Sequence, residues 1–180
     1  MNLLISFSGR EGGNCDQILD YISTPEDVKK YFRIMNIHSC SHCQYECFSQ
    51  DCKYHDDDIY ALFESMLDYE KVILVVPMYC GNPSSLYFIF NERCQDFFMR
   101  NEEKYGDIIS RLYIIGIYGN RNQTPDFIPC FEKWFTGSGK ENHVLGIERH
   151  IIGQGRDEYI LSNEEVKQNI TQFLRGKSSN

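Results

Sequence analysis

The chain has 180 residues, 42% of them apolar, 14% aromatic and 24% charged. That size and mixture fit one α/β or α+β domain with a full core, and they exclude a disordered or fibrous chain. Acidic residues (26) exceed basic ones (18), giving a net charge of −8 with no Lys/Arg cluster, so neither nucleic acid nor an anionic membrane surface is an expected partner.

The opening run Asn2-Leu3-Leu4-Ile5-Ser6-Phe7 is strand-like and lacks the basic flank and cleavage site of a signal peptide. No apolar run approaches the roughly 20 residues of a membrane span. These features predict a cytoplasmic protein with reduced thiols. Short β-rich runs then alternate with helix-period segments, the pattern of a parallel sheet flanked by helices. The predicted strands are Leu3–Phe7, Tyr31–Ile37, Val72–Val76, Leu112–Tyr118 and Val144–Ile152. Val72–Val76 is apolar on both faces, as a central parallel strand is.

Between them, Asp56, Asp57 and Asp58 put negative charge at a helix start, ahead of Ile59, Leu62, Phe63, Met66 and Leu67 on one face. Asn82-Pro83 predicts an N-cap and first helical residue before Leu86, Phe90, Phe97 and Phe98, and Thr124-Pro125 predicts the same before Phe127, Phe131 and Trp134, with Gly137 as a stop. Ser162-Asn163-Glu164-Glu165 reads as a capping box for a last helix ended by Gly176. The expectation is one domain over 1–176 and a frayed tail over 177–180.

Ligands of open parallel sheets bind beyond the carboxyl ends of the strands, which directs attention to three loops. The first, Ser8-Gly9-Arg10-Glu11-Gly12-Gly13-Asn14-Cys15, combines glycines, hydrogen-bond donors and a following helix N-terminus, the make-up of a phosphate cradle. The same residue types also fit a plain strand-to-helix turn with an Asn cap. No Gly-Lys-Ser/Thr ending is present, the G-x-G-x-x-G fingerprint is not matched, and the Cys94-x5-Arg100 string lies inside a predicted helix, where no ring of amides surrounds its thiol. The second loop, Pro77-Met78-Tyr79-Cys80-Gly81-Asn82, offers an aromatic and apolar wall, and Gly116-Ile117-Tyr118-Gly119-Asn120-Arg121 gives a close backbone approach on the other side. Each of these, taken alone, reads equally as an ordinary connection.

Together these residues resemble the flavodoxin-like NAD(P)H-dependent FMN reductases and their iron-sulfur flavoprotein relatives. Phe7–Cys15 is similar to the family's Gly-Ser-Pro-Arg-x-x-Gly-Asn-Ser/Thr phosphate loop, and Pro77–Asn82 to its Pro-Val-Tyr-Trp/Phe-Gly flavin-lining segment. Arg93 falls where an Asp-Arg pair ends that motif, and Cys52-Lys53-Tyr54-His55-Asp56-Asp57 is similar to its Cys-x3-Asp-Asp. The resemblance implies a three-layer α/β flavodoxin-like sandwich with a five-stranded parallel sheet in the order 2-1-3-4-5. It implies an FMN-binding oxidoreductase that takes electrons from NAD(P)H or a protein donor, works as a homodimer and needs no catalytic side chain. The implied FMN-binding residues are Ser8, Arg10, Gly13, Asn14, Cys15, Pro77, Met78, Tyr79, Cys80, Gly81, Asn82, Gly116, Tyr118 and Gly119.

Eight cysteines are present, and Cys40, Cys43, Cys47 and Cys52 crowd into 13 residues. Four thiolates can hold zinc or an iron-sulfur cluster, but the x2, x3, x4 spacing matches no standard site, so structural or redox thiols are the favoured reading. His38, His42 and His55 flank the cluster and read as solvated loop residues. An iron-sulfur or zinc electron-transfer module and a cofactor-free binding protein are the alternatives to the flavin reading.

Overall fold

The computed structural model describes residues 1–40, 44–119, 122, 124–149 and 159–176. Its strands are β1 (Leu3–Ser6), β2 (Val28–Tyr31), β3 (Val72–Tyr79), β4 (Asn82–Pro83), β5 (Leu112–Tyr118) and β6 (Val144–Glu148). Its helices are α1 (Asn14–Ile22), α2 (Asp58–Ser65), α3 (Ser85–Arg100), α4 (Glu102–Arg111), α5 (Phe127–Glu132) and α6 (Glu164–Arg175). The sheet runs β2-β1-β3-β5-β6 with every pair on that path parallel. This is the expected order once the added two-residue β4, antiparallel to β3, is set aside. The sheet therefore has six strands rather than five.

Alternation along the strands splits the core in two. Leu3, Ile5, Val72, Leu74, Val76 and Ile114 face one side with Phe63, Phe90, Phe97 and Phe131 of α2, α3 and α5. Leu4, Ile73, Val75, Ile115, Ile117 and Ile147 face the other with Ile18 and Leu19 of α1 and Val166 and Ile170 of α6. A strand carries side chains to opposite faces in turn, so apolar residues at consecutive positions demand helices on both sides.

Several boundaries differ from the sequence expectation, beginning with β1, which ends at Ser6 rather than Phe7, and β3, which runs on to Tyr79 rather than stopping at Val76. The second strand lies at Val28–Tyr31 rather than Tyr31–Ile37, because Phe32 turns into the core through a short 3-10 turn while Lys29 and Lys30 stay exposed on the edge strand. Asn82-Pro83 does not open α3. Ser84 caps it instead, accepting from the Tyr87 N–H at 3.3 Å, and Asn82-Pro83 closes a hairpin. Asp126, not Thr124-Pro125, precedes α5, because Thr124 starts a turn in which the Phe127 N–H reaches its carbonyl at 3.3 Å. The strand predicted to end at Ile152 stops at Glu148, and residues 150–152 lie outside the described ones. Asp57 caps α2 through the Ile59 N–H at 3.0 Å, and Asn163 caps α6 through Glu165 at 2.8 Å.

Candidate functional site

The loop after β1 is held from below by a buried carboxylate. Asp16, in the first turn of α1, accepts the Ser6 hydroxyl at 2.7 Å and the Gly12 N–H at 2.9 Å, and pairs with Arg33 at 2.9 Å. The negative charge is thus neutralised from the β2 side, and the loop backbone curls over the helix start. Ser8 completes the turn: its hydroxyl accepts the Arg10 N–H and meets the Arg10 carbonyl, both at 3.1 Å. Its hydroxyl shapes the loop, whose Arg10 and Glu11 side chains are exposed, and of the two Arg10 lines the cavity. Gly13 stands at the N-cap with no capping side chain, and a Cβ there would meet the Arg10 stem at 3.7 Å. The N-terminus of α1, carrying partial positive charge, is left facing outward. Asn14 ties this end of the sheet to the C-terminal segment, its Oδ1 accepting from Ile160 at 3.0 Å. Cys15 is buried, and burial pushes its thiol well above the ordinary range, so it is a neutral group in the wall.

β3 is the longest strand among the described residues, and it carries Pro77, Met78 and Tyr79 past the end of β1, with Pro77 still paired to Ile117 of β5. The chain reverses through Cys80 and Gly81, both at positive φ (48° and 83°), so that Tyr79 pairs with Asn82. Ser84 then donates to the Phe7 carbonyl at 2.8 Å, fixing the hairpin against the end of β1.

These loops meet at one cavity of about 290 Å³. Of the residues anticipated from the sequence, Ser8, Arg10, Gly13, Asn14, Cys15, Pro77, Met78, Tyr79, Tyr118 and Gly119 line it. Cys80, Gly81, Asn82 and Gly116 do not. The first three make the hairpin turn behind Tyr79, and Gly116 lies inside β5, where a Cβ would come within 2.9 Å of Phe131 and 3.0 Å of Ile128 and Phe127. Ile117, read from the sequence only as part of the third loop, also lines it, Asn120 and Arg121 of that loop lie outside the described residues, and one lining residue, Arg149, escaped the sequence reading. Arg149 follows β6, donates its N–H to the Tyr118 carbonyl at 2.9 Å, and keeps a buried Nε that has no hydrogen-bond partner among the described residues. The only sequence signal was position: one residue past the edge strand, at the same end of the sheet as the three loops. A larger hollow of about 460 Å³ lies between α3 and α5, walled by Tyr87, Phe88, Phe98, Tyr105 and Trp134. None of the post-strand loops contributes to it.

The cysteine segment is organised around Arg93 rather than around its thiols. The buried Arg93 guanidinium donates to Asp57 at 2.5 Å and to the His38 and Tyr54 carbonyls at 3.0 Å, and lies 3.8 Å from Asp96. Burial pushes the Asp96 carboxyl up, with Arg93 pulling the other way. His38 stacks on Tyr54 at 4.3 Å and His55 tilts against Tyr60 at 4.0 Å, while both side chains stay open to solvent, 49% and 39% exposed, as expected of solvated loop residues. Among the described residues no three of His, Cys, Asp and Glu gather to hold a metal ion. Cys40, Cys47 and Cys52 are not drawn together into such a group, and Cys43 and His42 lie outside the described residues.

A parallel sheet in this order, covered on both faces and carrying its cavity beyond the β1, β3 and β5 ends, is a flavodoxin-like fold. The comparisons agree. Over its whole length the chain superposes on 99% of the Trp repressor binding protein from Bacillus subtilis with a TM-score of 0.66 at 17% identity. The apo form of an NADH:FMN oxidoreductase (EMOB) superposes with a TM-score of 0.48 at 12% identity, over 99% of this chain and 90% of that one. In sequence, 106 residues, 58% of the chain, are 24% identical to an iron-sulfur flavoprotein of Methanocaldococcus jannaschii, and the match spans about half (52%) of that relative. No family model matches the chain. No helix among the described residues is long and apolar enough to cross a membrane.

Proposed function

We propose that the chain binds FMN in this cavity and serves as an oxidoreductase, taking electrons from NAD(P)H or a protein donor. The observation that carries the reading is the convergence of three loops, distant in sequence, on one hollow that is basic at its β1 end and apolar and aromatic beside it. The name of the sequence relative, an iron-sulfur flavoprotein, supports the same class.

The residues present fit the group. A phosphate needs positive charge and unspent amides, and Arg10 with the backbone of Gly13, Asn14 and Cys15 at the start of α1, all lining the cavity, supply them, while the Gly12 N–H is already given to Asp16. A planar ring needs a flat apolar wall, and Met78, Tyr79, Tyr118 and Gly119 provide one. Bound FMN would supply the redox chemistry itself. The chain's part is to neutralise the phosphate through Arg10, to keep the loop in shape through Ser8 and Asp16, and to shield the ring from water with the Met78–Tyr79 wall. No acid, base or nucleophile among the lining side chains is required.

Titration with FMN, followed by quenching of flavin fluorescence, tests the reading. The wild-type chain should saturate. Arg10→Ala should weaken FMN roughly ten-fold or more, through loss of a charge-assisted contact, and leave riboflavin, which has no phosphate, unaffected. Absence of saturable quenching in the wild type would overturn the assignment.

A further inference from the structure

Arg149 calls for an explanation that the phosphate does not give. Its side chain is partly buried in the cavity wall. Its Nε is buried without a hydrogen-bond partner among the described residues. Buried donors in native proteins are nearly always satisfied, so a donor left open on the wall of a cavity points to an acceptor that enters the cavity.

The sheet order says which part of a ligand that acceptor belongs to. Arg10 follows β1 and Arg149 follows β6, with β3 and β5 between them. Three strand spacings separate the two chain positions by roughly 14 Å. The Arg149 backbone is tied to Tyr118, next to Gly119 on the wall assigned to the ring. One arginine therefore serves the anionic headgroup, and the other stands at the far end of the hollow.

We propose that Arg149 is the cofactor-contacting residue by which the chain distinguishes reduced from oxidised FMN. The inference rests on the FMN reading. Uptake of two electrons and one proton leaves FMN with one more negative charge than it had, and that charge sits on the ring rather than the phosphate. A cation at the ring end favours the reduced form, whereas Arg10 favours both forms alike. The ratio of the two affinities sets the midpoint potential of the bound cofactor, with each tenfold in the ratio equal to about 30 mV for a two-electron couple.

The test compares the full chain with Arg149→Ala, Arg149→Lys and Arg10→Ala, each saturated with FMN. Dissociation constants for oxidised FMN and riboflavin come from fluorescence, and midpoint potentials from anaerobic dithionite titration against a reference dye. Arg149→Ala should lower the potential by about 30 mV or more, a tenfold loss of preference, and should weaken oxidised FMN and riboflavin equally, since the contact is with the ring both share. Arg149→Lys, which keeps the charge, should recover part of the shift and carries the test if the alanine variant fails to fold. Arg10→Ala should weaken FMN without moving the potential comparably. An unchanged potential in Arg149→Ala overturns the inference and leaves the FMN reading standing. So does a loss confined to FMN with riboflavin unaffected, which would make Arg149 a second phosphate contact. Failure of the wild-type chain to bind FMN removes both, and is seen before any potential is measured.

Discussion

Gly116 on β5 and Gly146 on β6 stand opposite one another in register, and Ile128 of α5 covers the space that both leave open. A Cβ at either position would lie 3.0 Å from the Ile128 Cδ1. At Gly116 the same atom would also meet Phe131 at 2.9 Å and Phe127 at 3.0 Å. The paired glycines let α5 sit close against the sheet, and through α5 they set the position of the β5 end that carries Tyr118 and Gly119 to the cavity.

Gly116→Ala should accordingly destabilise the chain by about 1–3 kcal/mol, the usual range for overpacking a full core. Gly146→Ala, at a more open position, should lose less. Shortening Ile128 to Val in the Gly116→Ala background should restore part of the loss, because one of the three clashing atoms is removed. Urea unfolding of the single and double variants measures this, and additive losses would mean that Ile128 does not transmit the contact.

The same glycine shows where sequence reading reached and where it stopped. The alternation of apolar runs and amphipathic segments was enough for the parallel sheet, and the run 72–76 marked the central strand, because burial on both faces leaves a composition that one strand displays by itself. The three loops were legible for the same reason, each being a local string at a strand end. Whether a given glycine approaches a ligand or a helix was not legible, because Gly116 and Gly119 look alike until the α5 aromatics are in place. Arg149 was invisible, since its significance comes from strand order rather than from its neighbours in the chain. The hairpin at 79–82 was hidden because Asn82-Pro83 reads equally as a helix start, whereas the structure caps α3 two residues later, at Ser84.

That hairpin makes a prediction of its own. A two-residue loop between antiparallel strands favours positive φ at both central positions, and Cys80 adopts 48° where Asn or Gly is usual. Cys80→Gly or Cys80→Asn should stabilise the chain by about 0.5–1 kcal/mol. Gly81→Ala should destabilise it, through the backbone alone, since its Cβ would meet only Thr124 at an ordinary 3.6 Å. Thermal unfolding midpoints rank the three, and a Cys80→Gly variant less stable than wild type would contradict the account.

Asp16 joins the loop, the helix start and β2 through Ser6, Gly12 and Arg33. Its side chain and that of Arg33 are only 7% and 15% exposed, so removing the carboxylate leaves a largely buried cation without its partner. Asp16→Ala should destabilise the chain by about 3 kcal/mol, and Ser6→Ala, which removes one neutral donor, by about 1 kcal/mol. Under the proposed function Asp16→Ala should also weaken FMN, because the Gly12 amide is no longer held. Chemical denaturation alongside FMN titration separates the two effects, and an Asp16→Ala chain with wild-type stability would show that the network is not structural.

His143 should make stability pH-dependent. It is buried and stacked on Tyr113 at 4.0 Å, and its Nδ1 lies 2.8 Å from the Leu112 carbonyl. The ring is therefore a neutral imidazole whose Nδ1–H donates. Burial lowers its pKa below the ordinary 6.5, with Lys140 and Lys71 acting in the same direction and the Leu112 carbonyl against it. The sign follows from proton counting. Below about pH 6.5 the unfolded chain takes up a proton that the folded chain refuses, so stability falls as pH drops from there to the lower folded-state value and then levels off. His143→Gln keeps a donor for Leu112 but cannot be protonated. Comparing urea midpoints at about pH 7.5 and about pH 5, wild type should lose more stability on acidification than His143→Gln does. Equal losses in the two chains would mean that His143 takes up its proton as readily folded as unfolded.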